Sequence, residues 1–190
     1  MTSAASPEVS VLLPVGNGMP YLPAAIDSVL RQSFRNFELL VIDDGSSDGT
    51  ASYLGGVADA RMRVVRAPTA GLASALNAGL ALARGRYVAR QDADDWSALD
   101  RLARQVAWLD RRPDVDVLAT AASFVDERDA PAESAWTQTV RAQWDTAVTP
   151  DEIAALMPLT CCIFHATVMA RTAPGRSTRH ISATMRRSCA

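Results

Sequence analysis

The run Val9-Ser10-Val11-Leu12-Leu13-Pro14-Val15 is apolar almost throughout instead of alternating, and it breaks at the turn-forming Gly16-Asn17-Gly18. A strand of that pattern is buried on both faces, so it needs helices above and below it and belongs in a largely parallel sheet. The chain supplies them. Leu22, Ile26, Val29 and Leu30 fall on one helical stripe, and Pro23 suits a first turn where its missing donor costs nothing. Phe37 to Ile42 repeats the buried-strand pattern and runs into the polar loop Asp43-Asp44-Gly45-Ser46-Ser47-Asp48-Gly49-Thr50, which feeds a short helix.

The same alternation continues. Arg63 to Arg66 reads as a short third strand, and Leu72, Leu76, Leu80 and Ala83 mark a helix that Gly85 stops in a left-handed cap. Tyr87 to Gln91 forms a fourth strand. Leu102, Val106 and Leu109 define a helix ending before Pro113, and Val115 to Ala121 supplies a fifth strand. The order βαβαβαβαβ predicts an α/β fold: a mostly parallel sheet with helices on both faces. Thr149-Pro150-Asp151-Glu152 is a capping box that opens a helix over Ile153 to Met157.

At 190 residues and 48% hydrophobic the chain is sized for one domain with a real core. Its charge is divided unevenly. All 21 acidic residues lie at or before Glu152, so the first 170 residues carry −7 and the last twenty carry +5. The pattern predicts a flexible N-terminus over 1–7, a folded domain over 8–170 and a basic, disordered tail over 171–190. The net charge of −2 implies no general polyanion surface and no nucleic-acid partner. Cys161, Cys162 and Cys189 are odd in number and lack metal-ligand spacing, which points to a reducing compartment. With no apolar run of spanning length and no basic-then-apolar N-terminus, the expected location is cytoplasmic, with peripheral membrane contact left open.

The fourth strand ends in Asp92-Ala93-Asp94-Asp95, three carboxylates within four residues. Two unit charges about 4 Å apart repel by roughly 4 kcal/mol at an effective dielectric near 20, so such a cluster calls for a cation. Hard oxygen ligands favour Mn2+ or Mg2+, which bridge one or two carboxylates to substrate phosphates. The alternative is a solvated acidic turn capping the next helix. In open α/β sheets ligands settle beyond the carboxyl ends of the strands. Three such ends are polar together: Pro14-Val15-Gly16-Asn17, Asp43-Asp44 and the Asp92 to Asp95 turn.

Five stretches carry a resemblance: Val9 to Val15, Ala25 to Gln32, Val41 to Thr50, Gly71 to Gly79 and Tyr87 to Asp95. In that order and spacing the chain from Val9 to about Ala170 resembles the nucleotide-sugar-binding domain of family-2 inverting glycosyltransferases, of GT-A fold. The resemblance implies a nucleoside-diphosphate sugar donor and a glycan or lipid-linked acceptor, with bacterial surface-polysaccharide or glycolipid assembly as the setting. Pro14, Val15 and Asn17 would line the donor site. Asp43 or Asp44 would accept hydrogen bonds from the base, a role suited to an acceptor-only group. Asp92 would sit near the ribose, and Asp94 would bind the divalent cation with Asp95 beside it. Asn77 and Arg90 would help line the donor pocket, a structural ion pair being the alternative for Arg90.

Two departures from the family pattern stand out. Position 16, often aromatic in the family, is Gly16. The family's downstream acidic motif, whose aspartate deprotonates the acceptor, has no counterpart, because no acidic residue follows Glu152. A truncated or frame-altered chain that binds donor without turning it over is therefore the alternative to an active transferase. His165 is a candidate substitute base or metal ligand and equally a structural histidine; Asp95 and Asp126 are further candidates for the base. Two other classes fit less well. A dinucleotide-dependent oxidoreductase would need a third glycine where Tyr21 stands, and a phosphatase using Asp-x-Asp leaves Asp43-Asp44 unexplained.

Overall fold

A computed structural model describes residues 6–67, 70–120, 122–125, 131, 134, 135, 137, 138 and 167–172. The candidates His165 and Asp126, the cysteines, the capping box at Thr149 with its helix, and the tail beyond 172 lie outside these residues.

The elements run in chain order as β1 (Val9–Val15), α1 (Leu22–Leu30), β2 (Phe37–Asp43), α2 (Thr50–Gly56), β3 (Met62–Arg66), α3 (Leu72–Leu82), β4 (Tyr87–Arg90), α4 (Arg101–Asp110), β5 (Val117–Leu118) and β6 (Met169–Arg171). They build one six-stranded sheet of order β3-β2-β1-β4-β6-β5. The first four strands in that order are parallel, and β6 runs antiparallel to both β4 and β5. Because the chain winds outward from β1 to β3 and then returns to β4 on the other side, β1 and β4 flank a topological switch point.

Every residue of β1 is buried, as its unbroken apolar pattern requires. Period-two geometry sends Val9, Val11, Leu13 and Val15 to one face, with Leu22, Ile26 and Val29 of α1, Leu54 of α2 and Leu102, Val106 and Leu109 of α4. Leu12, Leu40, Ile42 and Val88 face the other way, onto Ala75, Leu76 and Leu80 of α3. Both faces are thus covered, as expected of a parallel sheet.

Three expectations need correction. Gly85 does not cap α3 in a left-handed conformation: Ala83 leaves the helix with extended angles, and Gly45 and Gly71 are the described glycines with positive φ. Gly85 is needed for closeness, since a Cβ there would lie 2.5 Å from the Ser10 nitrogen and 2.7 Å from the Val9 carbonyl carbon. The fifth strand is only Val117–Leu118, because it pairs with a three-residue partner. That partner carries the fold past residue 170. The Arg171 guanidinium donates to the carbonyls of Val115, Leu109 and Arg112 and to the Tyr87 hydroxyl, and the Thr172 hydroxyl donates to the Gly85 carbonyl at 2.6 Å. Arg171 is therefore a residue of β6, and Thr172 beyond it donates to the carbonyls of Arg86 and Gly85.

Candidate functional site

The carboxyl ends of β1 and β4 open into a cleft of about 330 Å³ at the switch point. One wall is the turn after β1, with Pro14, Val15, Gly16, Asn17, Gly18, Met19 and Tyr21; the other is Arg90, Asp92, Ala93 and Asp94, and Leu72 stands at the start of α3.

The β1 turn is held by the loop after β2. Asn17, at a left-handed φ of 57°, accepts the Ser47 and Asp48 backbone N–H groups on its side-chain oxygen at 2.8 and 3.3 Å. Asparagine tolerates this conformation better than most residues. The Gly18 N–H donates to the Thr50 hydroxyl and the Met19 N–H to Asp48, whose carboxylate also caps Thr50. Those hydrogen bonds, from Thr50 foremost, hold the Asp48 carboxyl below its ordinary range. Asp48 was not singled out in the sequence. Its signal is an aspartate two residues before Thr50 at a helix start, where its carboxylate accepts the backbone N–H two residues on as in an Asx-turn.

Asp43 and Asp44 are adjacent to the cleft but do not line it. Asp43 accepts the Ser46 N–H at 2.9 Å, and Asp44 accepts the Gly71 N–H, so both carboxylates shape the loops around the site. Asn77 is half-buried within α3 and also lies off the cleft.

The opposite wall is a tightly organised acidic turn. Arg90 donates to Asp92 at 2.8 Å while facing the cleft, so the ion pair and the cleft wall are one arrangement. Gln91 donates to the carbonyls of Asp92 and Asp95. Arg101, only 9% exposed, donates to the Arg90 carbonyl, the Gln91 side chain and the Ser97 hydroxyl. Burial pushes its pKa down to about 10, against the attraction of Asp92 and Asp95. Asp95 is pushed up to about 6, by burial first and then by the repulsion of Asp92 and Asp94. The two arginines thus offset part of the charge crowding that the sequence implied. Gln91 and Arg101 were missed as site-building residues because what they hold is visible only in three dimensions.

Asp94 is exposed, and among the described residues its carboxylate has no hydrogen bond or ion pair. No three His, Cys, Asp or Glu side chains among the described residues converge into a protein cage for a metal. A lone free carboxylate lining a cleft of this size still suits Mg2+ or Mn2+, because these ions keep few protein ligands and take the rest from water and substrate phosphates.

Together the sheet order and the acidic turn at its switch point define a GT-A-like α/β domain. The chain belongs to glycosyl transferase family 2, whose sequence profile matches residues 10–171. It is 39% identical over 126 residues to a putative glycosyltransferase, EpsE, of Bacillus subtilis, covering 64% of this chain and 45% of that protein. An uncharacterized glycosyltransferase of Haemophilus influenzae is 39% identical over 106 residues, covering 54% of this chain and 42% of its own length. The chain thus spans less than half the length of these relatives. Among solved structures, S. aureus TarS 1-349 in complex with UDP-GlcNAc shares the fold at a TM-score of 0.66 and 24% identity, over 86% of this chain and 45% of that one. The mannosyltransferase PcManGT from Pyrobaculum calidifontis, in complex with GDP-Man and Mn2+, has a TM-score of 0.59 and 28% identity, over 88% of this chain and 45% of its own. Among the described residues no helix is long and apolar enough to cross a membrane.

Proposed function

We propose that this chain holds a nucleoside-diphosphate sugar in the cleft between β1 and β4 for transfer, with inversion, to a hydroxyl of a glycan or lipid-linked acceptor. The observation that carries the reading is the free carboxylate of Asp94 at the switch-point cleft, opposite the rigid β1 turn. The relatives' names, and the UDP and GDP-Man bound by the solved neighbours, support the same chemistry.

Pro14, Val15 and Asn17 form the wall against which the nucleoside rests, and Asp43 or Asp44 accepts hydrogen bonds from its base at the cleft's edge. Asp92, steered by Arg90, faces the ribose, and Asn77 lies at the helix beyond. Asp94 would hold Mn2+ or Mg2+. Such an ion supplies positive charge against the leaving diphosphate when bound. Arg90 and Arg101 keep the acidic turn in place, so that Asp94 is presented to the cleft without having to be ordered on binding.

Calorimetric titration with UDP and with GDP, each in manganese, magnesium or excess chelator, tests this. Binding of at least one nucleotide that tightens tenfold or more with metal is expected. Equal affinity with and without metal would remove Asp94 from its role, and absence of binding by either nucleotide would remove the donor reading altogether.

A further inference from the structure

Five residues of α4 are buried: Arg101, Leu102, Gln105, Val106 and Leu109. Two of the five are polar and stand one turn apart on the stripe that packs against the sheet. Packing alone gives no reason for them, because apolar side chains of similar volume often serve such a face as well as a buried charge or better. Among the described residues Arg101 has no carboxylate at ion-pair distance. Its guanidinium is bonded to neutral oxygens instead: the Gln105 side chain at 3.2 Å, the Gln91 side chain at 3.1 Å, the Ser97 hydroxyl at 2.9 Å and the Arg90 carbonyl at 2.8 Å.

Gln105 continues this network away from the acidic turn. Its side-chain N–H donates to the Thr167 carbonyl at 2.6 Å, across 62 residues of sequence, while its side-chain oxygen accepts Arg101. An amide is the group this position needs, since a carbonyl takes only a donor and a guanidinium offers only donors. At the other end of the network, Gln91 donates to the carbonyls of Asp92 and Asp95 at 3.1 and 2.8 Å. Arg90, the last residue of β4, donates its backbone N–H to the Val168 carbonyl at 2.9 Å and accepts Arg101 on its own carbonyl. The backbone that carries the acidic turn is thus tied twice to residues 167 and 168, just ahead of β6. One tie is direct, and the other runs through Gln105 and Arg101.

Resting on the donor reading above, we propose that Gln105 is a positioning residue: through Arg101 it couples the segment entering β6 to the acidic turn, and so sets how Asp94 is presented to a cation and diphosphate in the cleft. Gln105 does not line that cleft and acts only through the network. The members of a buried, fully bonded network depend on one another, so removing the middle one is felt at both ends. An ion held by a single protein carboxylate is sensitive to where that carboxylate points, and groups that orient such a ligand are typically worth about 10–100-fold in affinity.

The test compares wild type with two variants of the whole chain. Gln105→Met removes both hydrogen bonds at nearly constant volume. Gln105→Glu keeps the acceptor for Arg101 but sets a carboxylate against the Thr167 carbonyl. Glu38→Ala, at the opposite end of the sheet, is the control for a general loss of stability. Titration with UDP and with GDP, in manganese and in chelator, should show the tightening by manganese reduced tenfold or more in both Gln105 variants and changed less than twofold in the control. Amide hydrogen exchange at Asp95 and Ser97, whose N–H groups are bonded within and beside the turn, should quicken tenfold or more in Gln105→Met relative to the control. Wild-type manganese dependence in Gln105→Met overturns the proposal, as does an equal loss in Glu38→Ala. Wild-type behaviour of Gln105→Glu overturns the tie to β6, since the contact with Arg101 would then suffice. If wild type binds neither UDP nor GDP, the donor reading fails, and exchange alone decides the coupling: unchanged protection of Asp95 and Ser97 in Gln105→Met overturns it.

Discussion

The carboxylate of Asp44 receives the backbone N–H of Gly71 on both oxygens, at 3.0 and 2.8 Å, and so ties the end of β2 to the start of α3 beside the cleft. Gly71 has φ +113°, a conformation that L side chains rarely adopt, although a Cβ there would meet nothing within 4 Å. Gly71→Ala should therefore destabilise the fold by about 1–3 kcal/mol through backbone strain alone. Asp44→Ala should cost about 1 kcal/mol as a lost cap. Urea denaturation of both variants checks this; an alanine at 71 with wild-type stability would show that the open space, not the angle, decides.

Asp94→Ala should leave the fold intact, because the carboxylate has no partner among the described residues to lose, while abolishing the manganese dependence of nucleotide binding. The expected readout is a tenfold or greater loss of affinity in manganese and little change in chelator. Equal loss in both conditions would assign Asp94 a direct contact with the nucleotide.

At the opposite end of the sheet, Glu38 is buried and accepts the Ser10 hydroxyl at 2.7 Å, the Arg84 backbone N–H at 2.9 Å and the Arg84 guanidinium at 2.7 Å. Burial alone would raise its carboxyl, but the Arg84 and Ser10 hydrogen bonds outweigh that and hold it below the ordinary range. Its stabilising contribution is thus present above the unfolded carboxylate range and lost as pH falls through the lower folded value. Glu38→Ala takes the acceptor from the buried Ser10 hydroxyl and the Arg84 backbone N–H and the partner from the exposed guanidinium groups of Arg84 and Arg63, and should cost about 2 kcal/mol. Chemical denaturation measures the loss, and unchanged nucleotide affinity in the folded fraction would place it away from the site.

Asp95 has the opposite sign. Its folded pKa is raised from 3.8 to about 6, so over that interval the native state keeps a proton the unfolded chain has released, and stability falls as pH rises. Asp95→Asn, which removes the repelled charge, should be more stable than the wild type at neutral pH in metal-free buffer. The two should converge below the unfolded value. A gap that persists in acid would show that the asparagine gains its stability from a new contact.

Arg171 joins β6 to the rest of the sheet through three carbonyls and the Tyr87 hydroxyl. Arg171→Ala should cost about 2 kcal/mol, since the Leu109 carbonyl and the Tyr87 hydroxyl, on buried residues, lose a charged donor, while the exposed Arg112 carbonyl turns to water. Arg171→Lys should recover less than half, because an ammonium cannot reach acceptors spread around a planar fork. Thermal unfolding of the two variants tests both statements.

The buried strands were legible in the sequence because a residue run that is apolar on both faces of a strand has few alternatives, and the helices because Leu22, Ile26 and Val29 or Leu102, Val106 and Leu109 repeat at helical spacing. The acidic ends of β2 and β4 could be read as well, since clustered carboxylates leave a mark independent of fold. Local patterns do not encode which strands are neighbours. Only the tertiary structure put β1 beside β4, so that Asn17 faces Asp94 across a cleft while Asp43 and Asp44 turn their carboxylates to Ser46 and Gly71. Only it inserted β6 between β4 and β5, brought Arg101 under the acidic turn and left Trp96 exposed beyond it. Each of these depends on contacts between residues far apart in the chain, whose pairing is decided by packing of the whole sheet.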